Sequence, residues 1–575
     1  MTVLVARPVA SSTGSVKRHA LVATAHMRLM MLMLLFAAAV LVVIARLAML
    51  AAFAGSDAQA RVATLAARGD IVDRNGAPLA RTIDAWTIAV HPREVLGDKM
   101  DIAAKLAALM PDRGDRAWFY GQLTKDVSFT YLQRRASPAL VEQVNAIGEP
   151  AIVFARETQR LYPQSTLAAH ALGFLSTSGH GMAGMERVLD ERLLDPAQNG
   201  APVALSIDTR VQAAMESELA RARNAYMAKS ATGIVLDVAT GEVIAMASGP
   251  TFNPNRVGMS GVEELRNAAT QSVYELGSTF KPFTMAAALD DGVVTDISKR
   301  FDATVPLKVG GFTIHDDRGH EQRRWLNIPE TLIYSSNIAT ARIADELGPD
   351  RMQAIFKKLG FNTKPDIELI EKGRPLWPHY WARTTTMTTA YGHGIAVTPL
   401  HLASAYAALV NGGTWRPATL LKVKPGHAAQ GRRVISEATS ARLRQMLRLI
   451  VLQGTGKKGE APGYRVGGKT GTAEVAERGG YAKNANVSTF AAAFPMDAPR
   501  YVVVVMMDSP KRVKENSFQT TAAYTAAPVV SRVISRTGSM LGVIPSNHRD
   551  IDESDLLPLL WHAPGKPQEA PGEAE

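Results

Sequence analysis

Between Arg28 and Arg46 the chain carries seventeen residues, 29–45, without a single charge, and this stretch decides more about the fold than any other. As a helix it covers about 25 Å, and an apolar continuation over residues 47–54, past an Arg46 whose side chain reaches out to the headgroups, brings it to bilayer thickness. One membrane-spanning helix is expected. Arg7, Lys17, Arg18 and Arg28 precede the run and no acidic residue occurs before Asp57, so the positive-inside rule holds the N-terminus in the cytoplasm and exports the rest. The competing reading is a signal peptide cleaved near Ala58-Gln59-Ala60, but the run is longer than the roughly 7 to 15 residues of a signal-peptide core, which favours an uncleaved anchor.

The remainder of the 575 residues is too long for one hydrophobic core, so at least two folded units follow the anchor. With 46% hydrophobic and 20% charged residues, the chain has the composition of an ordinary globular protein rather than a disordered, collagen-like or multi-span one. It holds no cysteine, which excludes disulfides, thiolate metal sites, iron–sulfur clusters and a thiol nucleophile. Covalent catalysis then falls to Ser, Thr, Lys or a carboxylate. The net charge of +11 favours an anionic partner without choosing between lipid surface, nucleic acid and acidic polymer.

Past the anchor, residues 60–200 alternate short β-rich pieces such as Trp86-Thr-Ile-Ala-Val90 with helical stretches such as 102–110, an irregular α+β pattern. Residues 232–237 and 242–247 read as a β-hairpin turned at Gly241. Helices are expected at 278–290, 330–346 and 400–411, a buried strand at 501–506 and a closing helix at 522–535. An antiparallel sheet packed against a helical cluster accounts for strands at both ends of this region. Residues 564–575, rich in Pro, Gly and Glu, read as a disordered tail.

Three short segments carry chemistry. In Gly277-Ser278-Thr279-Phe280-Lys281-Pro282 the sequence predicts that Ser278 caps a helix whose fourth residue is Pro282, which puts Ser278 and Lys281 on one face. A hydroxyl nucleophile needs a base in reach, and a lysine serves when its charged form is disfavoured. Ser335-Ser336-Asn337 reads as a loop at the end of a helix whose start, Asn327-Ile-Pro-Glu330, has a capping-box pattern. Lys469-Thr470-Gly471-Thr472 admits two readings. Residues 463–470 fit the phosphate-loop pattern, but no apolar strand precedes them and no good helix follows, and an exported domain has no ATP supply. On an edge strand, the same residues line a groove that a substrate backbone approaches over Gly471.

Ser-x-x-Lys, Ser-x-Asn and Lys-Thr-Gly in this order form the active-site set of penicillin-binding proteins and serine β-lactamases. More of the chain resembles the class B, division-type (FtsI-like) penicillin-binding proteins: Arg68-Gly-Asp-Ile-Val-Asp-Arg-Asn-Gly76, Glu157-Thr-Gln-Arg-Leu-Tyr-Pro163, Gly181-Met-Ala-Gly-Met-Glu186, Tyr391-Gly-His-Gly394 and Thr398-Pro-Leu400. Leu276, Glu474 and His401 depart from the residues usual in that family. The resemblance implies an α+β protein with a cytoplasmic tail (1–28), an anchor (29–54), a pedestal domain of dimerisation type (55–200), a transpeptidase domain (201–545) and a largely disordered C-terminal tail (546–575).

It also implies a peptidoglycan D,D-transpeptidase of septal wall synthesis in the inner membrane, with its catalytic domain periplasmic, inhibited by β-lactams and needing no cofactor or metal. Ser278 would be the nucleophile, Lys281 its base, Ser335 and Asn337 the proton relay and amide holder, and Lys469, Thr470, Gly471 and Thr472 the carboxylate-binding strand. Backbone amides of Ser278 and Thr472 would form the oxyanion hole. The implied partners are stem peptides ending in D-Ala-D-Ala, a glycan polymerase of the SEDS class (FtsW-like) and other division proteins, with no nucleic acid. An elongation enzyme, a β-lactam-sensing or β-lactam-hydrolysing protein, and a scaffold that recruits division partners remain as other readings. A lactamase, however, has no use for a span and about 140 residues ahead of its catalytic unit. His315 and His320 are set aside as an exposed loop lacking a third metal ligand.

Overall fold

The computed structural model describes residues 27–46, 49, 68–477 and 480–561. The chain forms two compact units, Met1–Ala67 and Arg68–Glu575. In the first, the expected span is a helix, α1 (Met27–Arg46), of 20 residues, which is long and apolar enough to cross a bilayer. The segment 50–54, the 58–60 cleavage motif and the tail 564–575 lie outside the described residues.

The second unit begins with the pedestal. Strands β1 (Ile71–Val72), β2 (Pro78–Val90), β3 (Thr130–Ala136), β4 (Ile152–Leu161) and β5 (Val203–Ala204) form its sheet. The long β2 pairs with both β3 and β4, and β1 runs parallel to β5. Ile88, Leu106, Phe119 and Leu132, all 0% exposed, are the centre of its core. Three of the family-like motifs meet in one buried ion network. Arg68 Nε donates to Glu186 Oε2 at 2.8 Å, Arg160 Nε to Glu186 Oε1 at 2.7 Å, and Arg68 Nη1 to Asp190 Oδ1 at 2.6 Å. Glu186 is 0% exposed, so removing either arginine takes away part of the compensation of a charge that water cannot reach.

Helix α2 (Thr209–Ala225) leads into a second sheet made of β6 (Ser230–Asp237), β7 (Val243–Gly249), β8 (Gly467–Glu477), β9 (Gly480–Phe494) and β10 (Tyr501–Asp508). Its order is β8-β9-β10-β6-β7 with every pair antiparallel, so the hairpin read from the sequence is present and β8 is an edge strand. Every residue of β10 is buried, which explains its unbroken apolar run: both faces are covered. Helix α2 and a closing helix, α8 (Ala526–Thr537), cover one face through Val211, Met215, Val530 and Val533. On the other lies the helical cluster: α3 (Lys281–Asp290), α4 (Ile328–Ile333), α5 (Asn337–Leu347), α6 (Pro399–Val410) and α7 (Glu437–Gln453). Phe280, Phe283, Phe356, Phe361 and Tyr406 stack edge to face or tilted at its centre.

Two expectations are corrected. The single helix expected over 330–346 is two, α4 and α5. Asn327 and Glu330 form the anticipated capping box on α4, but Ser336 then caps α5 by accepting from Ala339 N at 3.1 Å, and Ser335 between them takes a left-handed φ of 59°. A serine cap opens a new helix and thereby ends the old one.

The C-terminal segment expected to be largely disordered packs as a strap over residues 546–561. Leu556 is 0% exposed within the main core, Arg448 pairs with Asp550 at 2.6 Å, and Trp561 N donates to Glu330 Oε1 at 2.8 Å. The Pro/Gly/Glu composition belongs to the residues after 561, whereas the strap itself carries leucines at a spacing that reaches the core. Leu556→Ala is expected to cost about 2 to 5 kcal/mol, seen as a lower denaturant midpoint of the full chain, because the strap cannot collapse into the void. An unchanged midpoint would mean the strap is not part of the core.

Candidate active site

The segment carrying Ser278 is a 3-10 turn, Gly277–Phe280, that runs directly into α3. The expected register is therefore corrected: Ser278 caps nothing, Phe280 is the N-cap of α3, and Pro282 is the second residue of α3. The functional consequence survives, since residues three apart eclipse in a 3-10 turn and Ser278 stays on the face of Lys281. Buried bonds fix this turn: Thr279 Oγ1 donates to Leu276 O, and Tyr406 Oη to Thr279 O, both at 2.9 Å. Gly277 has φ +54°, and a Cβ there would lie 2.8 Å from Thr472 O. Only glycine permits this approach.

The Ser335-Ser336-Asn337 segment is held by the loop set aside in the sequence. Asp316, 7% exposed, accepts from Ser336 Oγ with both carboxylate oxygens and from Ile338 N, each at 3.0 Å. Asn337 Nδ2 donates to His315 O at 3.0 Å, and no hydrogen bond joins Asn337 to Lys281 among the described residues. Nothing local signals this contact, because the partners lie 20 to 22 residues apart. Among the described residues no group of three candidate ligands could hold a metal.

On the edge strand β8, Lys469 and Gly471 turn toward the helical cluster, and a Cβ on Gly471 would sit 2.3 Å from Leu276 O and 2.8 Å from Thr279 Cγ2. The strand thus abuts the Ser278 turn backbone to backbone. Alternation separates the residues expected along one groove: Thr470 Oγ1 shares a hydrogen bond of 2.7 Å with Thr455 Oγ1, and Thr472 Oγ1 accepts from Ala522 N at 3.1 Å. The phosphate-loop reading of residues 463–470 is overturned here, since Lys469 sits inside a strand with no helix after it.

Both lysines are 0% exposed, and they meet on one hydroxyl. Lys281 Nζ donates to Ser335 Oγ at 3.1 Å and also to the Ser335 carbonyl; Lys469 Nζ donates to Ser335 Oγ at 2.9 Å and to Thr470 O at 3.0 Å. The left-handed backbone of Ser335 presents its carbonyl and hydroxyl to the same amine. Burial pushes the Lys281 ammonium down to about 8, against a partial pull upward from Asp317 and Asp316. Lys469 falls well below its usual range, through burial first and then the charge of Lys281, again opposed by Asp317. Burial disfavours both ammonium groups, and two charges this close disfavour each other. The Ser278 hydroxyl makes no hydrogen bond among the described residues. Sequence reasoning also missed Glu275, which binds Gly394 N at 3.1 Å and lies 3.4 Å from His393 Nδ1, at the mouth of the site.

Comparison with known proteins fits this arrangement. The penicillin binding protein transpeptidase domain matches residues 231–535, and the penicillin-binding protein dimerisation domain matches residues 63–194. The probable peptidoglycan D,D-transpeptidase FtsI of Caulobacter vibrioides is 40% identical over 499 residues, covering 83% of this chain and 82% of that one. The chain belongs to the class B penicillin-binding proteins. The peptidoglycan D,D-transpeptidase FtsI of Escherichia coli is 29% identical, with 78% of this chain and 80% of that one covered. Penicillin binding protein 3 of Mycobacterium tuberculosis, solved in complex with aztreonam, matches with a TM-score of 0.65 at 26% identity, over 84% of this chain and 98% of that one.

In this penicillin-binding protein the contact of Gly471 with the serine turn is a tight constraint on the site. Gly471→Ala is expected to push β8 off the turn and slow penicillin acylation by at least about tenfold, with the far-ultraviolet circular dichroism retained. Wild-type acylation in this variant would show that the two backbones have room to part.

Proposed function

We propose that the protein is a serine D,D-transpeptidase that crosslinks peptidoglycan stem peptides during septal wall synthesis, anchored in the inner membrane with its catalytic domain outside the cytoplasm. The observation that carries this reading is the convergence of two buried lysines on Ser335 beside a serine on the same face as one of them. The names of the relatives support the reaction class.

A substrate carboxylate arriving at Lys469 draws the pair's proton onto that amine through the Ser335 hydroxyl, leaving Lys281 neutral. Lys281 then accepts the proton of Ser278, whose oxygen bonds to the carbonyl carbon of the penultimate D-alanine. Backbone amides of Ser278 and Thr472 hold the oxyanion. The carbon–nitrogen bond breaks as Ser335 returns the proton to the leaving D-alanine amine, giving an ester on Ser278. A neighbouring stem's amine attacks that ester, forming the crosslink and restoring the Ser278 hydroxyl. Asn337 keeps its side-chain oxygen for the substrate amide.

The span, the pedestal and the division-type relatives support placement beside a glycan polymerase of the SEDS class, with residues 55–200 as the partner-binding pedestal and 201–545 as the catalytic domain. A reporter active only outside the cytoplasm, fused after Ala60, is expected to be active in cells, and the mature protein to retain Met27. Release of a soluble form beginning near Arg61 would overturn the anchor.

The reaction itself is tested with labelled penicillin. Peptide mapping is expected to find the adduct on Ser278, and Ser278→Ala to remove it while the protein stays folded. An adduct elsewhere would overturn the assignment. Lys469→Ala removes a charge-assisted contact of about 1.5 to 3 kcal/mol, so acylation near pH 7 is expected to slow by about tenfold to a few hundredfold.

A further inference from the structure

Beyond the serine lies a cavity of about 620 Å³ that the reaction as described leaves unused. Its walls include Glu275, three residues before Ser278, and Glu474 and Val475, the next residues along β8 after Thr472 and Ala473. Its floor is the end of the sheet, where Val487, Asp508 and Ser230 lie in one cross-strand row. The acidic and basic side chains lining it are unbalanced, Glu263, Glu275, Glu474 and Asp508 against Lys229 and Arg266, with Glu275 also beside His393.

Asp508 is the informative one. It is 9% exposed, its Oδ1 accepts from Ser509 Oγ at 2.8 Å, and among the described residues nothing donates to its Oδ2 and no cation pairs with it. Its unbonded oxygen is not sealed in the interior, so a cation entering the cavity can reach it. Glu474, exposed in the cavity wall, adds a second negative charge.

The location says which part of a substrate arrives there. A peptide lying extended against the free edge of β8, with its terminal carboxylate near Lys469 and its scissile carbonyl at Ser278, continues past Thr472 toward Glu474. Two strand residues span about 7 Å, so the residue preceding the D-Ala-D-Ala pair comes level with the cavity mouth. We propose that this cavity is a recognition site for the side-chain ammonium of that residue, so that the enzyme selects acyl donors whose diamino acid is still free, with Asp508 and Glu474 as its specificity-determining carboxylates. The proposal rests on the transpeptidase reading, because it takes the donor's direction from Ser278 and Lys469.

The test uses the full chain in detergent and two thioester acyl donors, identical except that the residue before the D-alanyl thioester is lysine in one and ε-N-acetyl-lysine in the other. Acylation is followed by intact-protein mass spectrometry, with benzylpenicillin as a reference for the serine. In wild type the free-amine donor is expected to acylate about tenfold faster than the acetylated one, and Asp508→Asn or Glu474→Gln to cut that ratio to about threefold or less. The ratio is internal to each preparation, so a smaller folded fraction does not move it, and Glu474 is exposed enough that its variant tests the idea even if Asp508→Asn folds poorly.

Equal rates for the two donors in wild type, or a ratio unchanged in both variants, would overturn the ammonium site while penicillin still labels Ser278. Failure of penicillin to label Ser278 would instead overturn the underlying reaction. If Asp508→Asn slows attack of an added amine on the acyl-enzyme and leaves the donor ratio intact, the cavity serves the acceptor and the proposal is wrong.

Discussion

Two lysine side chains with no solvent exposure donate to one serine hydroxyl, and the architecture around them keeps that encounter in place. Two ammonium groups cannot both be charged there at reasonable cost, so the proposed reaction gives the pair one proton and moves it through Ser335. A reaction that needs a neutral base beside one alkoxide-forming serine and a cation beside one carboxylate is served by this single shared proton. Neither a metal nor a cofactor enters the steps proposed for these residues.

Each lysine comes from a different part of the fold, which is why the constraint reaches so far. Lys281 is delivered by a 3-10 turn pinned by Tyr406, Lys469 by a sheet edge, and Ser335 by a break between two helices that Asp316 ties down. The strand and the turn meet through Gly471 and Gly277, positions where a methyl group would overlap a carbonyl oxygen. Farther out, the C-terminal strap bonds to the helix just before Ser335: Leu559 O accepts from Asn327 Nδ2 at 2.7 Å, and the Arg324 guanidinium lies between the Tyr334 and Trp561 rings, 5.3 and 5.1 Å from their centres. The strap thus supports the element that presents the Ser335 hydroxyl.

Much of this was legible before any coordinates. The hairpin, the edge strand, the buried β10 and the capping box at Asn327 follow from apolar periodicity and local cap chemistry, which neighbouring residues determine. What escaped was non-local. The helix expected to run through 335 breaks because Ser336 finds a cap and Asp316 a ligand role in the same place, twenty residues apart in sequence. The cap expected of Ser278 gives way to a turn shaped by Tyr406, 127 residues away from the carbonyl it binds. The strap looked like tail because the composition of residues 564–575 colours what precedes it, whereas Leu556 is buried by tertiary contacts alone.

The shared proton is tested most directly by the pH dependence of penicillin acylation in wild type and in Lys469→Met. In wild type the last proton leaves the pair as pH rises through about 8, after which Lys469 cannot meet the carboxylate as a cation; the acylation rate constant should therefore fall across that range. In Lys469→Met the remaining proton sits on Lys281 and blocks the base, so the smaller rate constant should rise through about 8 instead. Opposite slopes are what the account requires. Slopes of the same sign in the two proteins would contradict it, since the lysines would then be titrating independently rather than holding one proton between them.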